Sequence, residues 1–167
     1  MRLKVLLALV LCSAGVAHAA PRDWIELKRK QTGPVVEAYA DTVKAAQFLL
    51  RAHGLAIAAD GVYGLQTENA LKRFQRKNGL SATGALNAAT WEALVISLRP
   101  GARGDAVRAM QTLLNGFAEK PVTVDGVYGA VTKTALLKFQ KEAQLKADGI
   151  VGKVTWSNLS PGQWEGC

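Results

Sequence analysis

Few side chains in this sequence are of the kind that perform chemistry. It holds two histidines, His18 and His53, and two cysteines, Cys12 and Cys167. His18 sits in an N-terminal segment that reads as removable, which leaves His53 alone. One histidine cannot build the multi-histidine zinc site of a metallohydrolase. Cys167 is the last residue, with no base beside it to generate a thiolate nucleophile. Glu68 is a candidate for the carboxyl that a glycosidase holds in its cleft. It falls on an amphipathic helix, however, and Lys133 stands in its place where the pattern recurs, so a surface carboxylate is the better reading. No catalytic residue, metal site or cofactor is expected. What recurs instead is a loop: "ADGVYG" at 59–64 returns as "VDGVYG" at 124–129.

The residue types of that loop suit turns and ligands alike. Asp60 can accept hydrogen bonds from backbone amides just ahead of it, and Gly61 and Gly64 suit positions of positive φ. Val62 is expected to anchor inward, while Tyr63 is free to face either way. Gly64 also precedes a helix whose first amides lack intrahelical partners and can meet an acceptor, such as an acetamido or carboxylate group. The candidate ligand-binding residues are therefore Asp60, Gly61, Tyr63 and Gly64, with Asp125, Gly126, Tyr128 and Gly129 in the second copy.

The elements that must position these loops repeat with them. Thr67, Ala70 and Phe74-Gln75 match Thr132, Ala135 and Phe139-Gln140. Thr90-Trp91 and Leu94 match Thr155-Trp156 and Leu159. Upstream, Val43 and Gln47 match Val107 and Gln111 with the spacing one residue shorter, which places a single insertion in the second loop. Val43, Ala46, Gln47 and Leu50 share a helical face, as do Val107, Met110, Gln111 and Leu114. Thr67, Ala70, Leu71 and Phe74 form a second stripe, ended by Gly79. A short third helix carries Trp91 and Leu94. Both tryptophans are expected in the core rather than stacked on a sugar, because such small modules are short of core volume. Gln47, Gln75, Gln111 and Gln140 are expected to satisfy loop backbone. No stretch alternates as a strand does. The fold class is all-α: two tandem three-helix bundles.

The ends and the charge bound the rest. Residues 1–19, "MRLKVLLALVLCSAGVAHA", have two cations, a short apolar run and the small-x-small Ala17-His18-Ala19, and so read as a cleaved signal peptide. The apolar run is too short for a membrane span. Residues 20–41 form a leader, possible as a docking helix; 42–97 and 98–161 are the two modules; 162–167 is a tail. An exported protein is expected, periplasmic or extracellular. The net charge of +8 suggests an anionic partner. No basic block or nucleic-acid motif supports a nucleic acid in that role. Lys72, Arg73, Arg76 and Lys77 flank Phe74, and Lys138 and Lys141 keep two of those charges in the second module.

"DGVYGLQTENALKRFQRKNGLSATGALNAATWEAL" and "DGVYGAVTKTALLKFQKEAQLKADGIVGKVTWSNL" resemble the peptidoglycan-binding module found beside bacterial cell-wall hydrolases. "LRPGARGDAVRAMQTLL" at 98–114 adds that family's opening, with Leu98, Gly101, Gly104 and Val107 in place. The first module lacks the corresponding Gly-x-x-Gly. The resemblance implies three-helix modules that bind the wall without cleaving it, with peptidoglycan or muropeptides as the partner. A second possibility is an interaction subunit that targets or modulates a separate cell-wall hydrolase, since one fold serves several ligands.

Overall fold

The structure is a computed structural model that describes residues 39–160. The expected signal peptide, nearly all of the leader and the tail with Cys167 lie outside the described residues. Six helices follow in order: α1 (Ala40–Ala52), α2 (Leu65–Lys77), α3 (Ala88–Leu94), α4 (Asp105–Leu114), α5 (Ala130–Glu142) and α6 (Lys153–Leu159). Three fall in each repeat. Two isolated antiparallel bridges pair Leu98 with Val151 and Arg103 with Val127.

Local chemistry sets the helix ends. Asp41 lies in the first turn of α1 and Arg51 in the last, charges that oppose the helix dipole. Asn87 caps α3 by accepting from the Thr90 amide at 3.0 Å. After α2, Gly79 takes φ +69° and the Leu80 amide reaches back to the Gln75 carbonyl at 2.8 Å. That closure needs a left-handed residue, as the sequence suggests for Gly79. After α5 the same closure, Leu145 to Gln140 at 2.7 Å, is made with Gln144 at φ +55°.

Each bundle closes over its tryptophan. Trp91 and Trp156 are fully buried, as are Leu94 and Leu159 one turn on. The Trp156 indole N–H donates to the Ile96 carbonyl at 2.9 Å. Leu98 and Val151 then exchange both backbone hydrogen bonds, and the Gly101 amide donates to Tyr128. The connection between the repeats is thus stapled along the second bundle. Gly101 and Gly104, at φ +94° and +107°, give the chain the bends this path requires.

The two bundles are not beads on a string. Beyond the expected stripe, α1 also buries Thr42, Ala45 and Leu49, and α4 buries Ala106, Ala109 and Leu113. These second faces pack α1 against α4, with small residues allowing close approach. Arg51 at the end of α1 donates to Asp105 at the start of α4, 3.0 Å away. One continuous apolar core results, running from Val43 through Trp91 and Met110 to Leu159.

Candidate functional site

The repeated loops are clamped from inside by glutamine. Gln47 is 1 % exposed, and its amide nitrogen donates to Asp60 Oδ1 at 2.9 Å, Val62 O at 3.1 Å and Thr67 Oγ1 at 3.0 Å. Its Oε1 accepts from the Gly61 amide at 2.8 Å. Gln111 repeats the set on Asp125, Val127, Thr132 and Gly126 at 2.9–3.2 Å. A planar amide that both donates and accepts pairs the buried Gly61 or Gly126 amide and adds a donor to a carbonyl already shared with the Gly64 or Gly129 amide. The expectation for these glutamines is met.

Asp60 and Asp125 complete the turns. Each accepts from the amide two residues ahead, Val62 or Val127, at 2.8 Å. The Val62 amide is the main reason the Asp60 carboxyl titrates below its ordinary range. For Asp125 the Gln111 amide leads, followed by the Val127 amide. Gly61 and Gly126 both take φ +79°, and a Cβ at Gly61 would stand 2.9 Å from the Ala40 carbonyl oxygen. These two glycines are demanded by the fold.

Val62 and Gly64 sit differently from the expectation, and the side that Tyr63 faces is fixed. Val62 is 60 % exposed and Tyr63 only 8 %, so the tyrosine rather than the valine is the inward anchor. The Tyr63 hydroxyl donates to the Gly84 carbonyl, and Tyr128 donates to Gly149 at 2.6 Å. Burial pushes both phenols up, Tyr128 to about 12. Neither ring is presented to solvent. Gly64 and Gly129 are not at positive φ: both are extended, near −90°, and a Cβ at either would meet nothing within 4 Å. Turn geometry therefore does not account for these two glycines.

A second clamp in each bundle escaped the sequence reading in detail. Gln75 donates to Ala85 O and Thr90 Oγ1 at 2.8 and 2.9 Å and accepts from Gly84. Gln140 does the same around Gly149 and Ile150, with Thr155 at 3.4 Å. The threonine of each Thr-Trp pair is thus part of a loop lock. A signal was available: Gly84 and Gly149 both stand nine residues after a glutamine, and each is followed six residues later by that threonine.

The surface outside the clamps is where a ligand can reach. At the loop end of the first bundle Val62 and Leu65 are exposed, and in the second Val124 and Val131 are exposed. Gly64 and Gly129 stand as N-caps with no side-chain cap, which leaves the amides of the following turn open. Among the described residues no group of three or more His, Cys, Asp or Glu side chains could hold a metal ion. His53 rests against Phe74 at 4.9 Å between ring centres, its Nε2 2.9 Å from the Leu94 carbonyl. It links α1 to α3.

Comparison with known proteins places this geometry. The family model described as "Putative peptidoglycan binding domain" matches twice, over residues 39–94 and 103–159. The chain belongs to this peptidoglycan-binding family. Tandem bundles and the all-α fold agree with that membership. Its similar relatives include a Bacillus licheniformis protein named "Probable N-acetylmuramoyl-L-alanine amidase", 31 % identical, over 88 % of this chain and 48 % of that one. The zinc D-Ala-D-Ala carboxypeptidase of Streptomyces albus G is 34 % identical over 47 % of this chain and 30 % of its own length. A solved structure, a Clostridioides difficile peptidoglycan-binding protein in complex with glutamine hydroxamate, is 36 % identical with a TM-score of 0.38, covering 40 % of this chain and 41 % of that one. The chain spans about half or less of the length of these relatives. No helix among the described residues is long and apolar enough to cross a membrane.

Proposed function

We propose that this is an exported, non-catalytic protein that holds bacterial peptidoglycan through both modules, 42–97 and 98–161. The wall ligand seats at the loop end of each bundle, against Asp60–Gly64 and Asp125–Gly129 and the starts of α2 and α5. The observation that carries this reading is the pair of N-cap glycines. Asp, Asn, Ser or Thr is the favoured cap residue, and neither backbone angle nor crowding forbids one at Gly64 or Gly129. Bare caps leave amide donors open beside exposed Val62 and Leu65, or Val124 and Val131. Amide donors next to an apolar patch suit the acetamido, lactyl and carboxylate groups of a muropeptide. The buried tyrosines brace this surface from beneath rather than touch the ligand.

The test is the double substitution Gly64→Asp and Gly129→Asp, which puts a capping carboxylate onto those amides. The fold should hold or gain a few tenths of a kcal/mol per helix, read by thermal melting. Co-sedimentation with purified sacculi at low salt should fall. If the double variant pellets as the parent does, the ligand does not sit at these helix starts. If the parent itself stays in the supernatant, wall binding is wrong. A partner protein that is still retained after complete muramidase digestion of the wall would favour the hydrolase-associated reading instead.

A further inference from the structure

The solvent face of α2 has a composition that the fold does not require. Its exposed residues are Leu65, Gln66, Asn69, Arg73, Arg76 and Lys77, all on one side of the helix. Arg73, Arg76 and Lys77 are related by i, i+3 and i+4, so their charges crowd within a turn. None of the three makes an ion pair among the described residues, whereas Lys72 beside them is held by Glu68 at 2.6 Å. A cation in the last turn suits the helix dipole. Three unpaired ones repel each other by more than that role needs.

The second bundle supplies the comparison. It has the same helix in the same place, but Glu142 stands where Lys77 does, and Lys138, the counterpart of Arg73, is bound by Glu119 at 2.7 Å and approached by Glu142 at 3.8 Å. The architecture is therefore built equally well with a less charged helix end, where Lys141 is the one cation unpaired among the described residues. The cluster of three unpaired cations belongs to α2 of the first bundle alone.

We propose that this face docks the acidic stem peptide of the wall, with peptide carboxylates on Arg73, Arg76 and Lys77. This rests on the wall-binding reading for the source of the peptide. Guanidinium forks bind carboxylates in two-pronged fashion. The amides of Gln66 and Asn69 can serve peptide N–H and C=O groups, and exposed Leu65 with neighbouring Val62 can take a methyl-bearing residue. A phosphate polymer would use the cations but neither of these. From Leu65 to Arg76 the helix rises about 16 Å, the reach of about five extended residues. The peptide would leave the bare helix start of α2 and run along its length, while the second module holds glycan-proximal groups only.

The experiment titrates the full chain with a disaccharide-tetrapeptide whose side carboxylates are free, and with the same muropeptide amidated. The free form should bind about tenfold more tightly or better. Arg73→Gln with Arg76→Gln should remove that preference, while Lys141→Gln in the second bundle should change it less than about twofold. The amidation contrast on the unaltered chain needs no variant and stands even if the double variant folds poorly. A chain that pellets with sacculi but binds both muropeptides equally overturns the docking and leaves wall binding intact. A chain that ignores sacculi yet prefers the free carboxylates sinks wall binding and keeps the acidic-peptide surface. Equal loss from Lys141→Gln overturns the assignment to the first bundle.

Discussion

At the residue scale, one buried amide per loop decides whether the loop exists. Gln111 meets four partners at 2.9–3.2 Å. Gln111→Leu would leave the buried Gly126 amide without its partner, at a cost of about 1–3 kcal/mol. Urea denaturation should show that loss, and Gln111→Glu should not rescue it, because a carboxylate cannot donate to Asp125. The aspartates add a pH dependence whose sign is fixed. Asp60, Asp125 and Asp148 all titrate below the ordinary range, mainly through hydrogen bonds from Val62, Gln111 and Ile150 respectively. A carboxylate with a lowered folded-state pKa stabilises above its unfolded pKa, near 3.9, and stops doing so as pH falls through the folded value. The melting temperature should therefore be insensitive to these groups near neutrality and fall below about pH 4. Exchanging Asp125 and Asp148 for Asn should flatten that fall.

At the element scale, the repeated pattern made each helix legible, because apolar residues at 3–4 spacing and the Gly79 stop occur in sequence order. What stayed hidden was orientation within the loop and the second face of α1. Val62 and Tyr63 are adjacent and both apolar enough to turn inward. The decision falls to the tyrosine hydroxyl, which finds the Gly84 carbonyl across the bundle, a partner that only the folded chain supplies. Gly64 looked like its neighbour Gly61, yet one is extended and the other left-handed; composition cannot separate them. The matching helices α2 and α5 also differ at their ends. Gln144 adopts φ +55° where the first bundle has Gly79, and a left-handed conformation costs a non-glycine residue about 1 kcal/mol. Gln144→Gly should raise stability by about 0.5–1 kcal/mol, seen as a higher melting temperature. An unchanged or lower value would mean the glutamine side chain repays its strain.

At the scale of the whole molecule, the tight packing of α1 on α4 changes what two modules mean. Two modules on a loose tether would bind with an effective concentration set by linker length. Here the connection at 95–104 is hydrogen-bonded along the second bundle and the cores are continuous. The two loop ends are held at one separation, so a ligand lattice that matches it gains from both and one that does not gains from neither. The same continuity fixes how the protein should unfold. Trp156 is wholly buried and holds the connector through Ile96, so Trp156→Ala should cost about 3–5 kcal/mol. Because α1 and α4 share their buried faces, the first bundle should not survive the loss of the second. Calorimetry should show one transition in both proteins, shifted down in the variant, with calorimetric and van't Hoff enthalpies equal. Two transitions, only the lower moved by Trp156→Ala, would mean that the bundles fold separately and that their fixed spacing is not maintained by a common core.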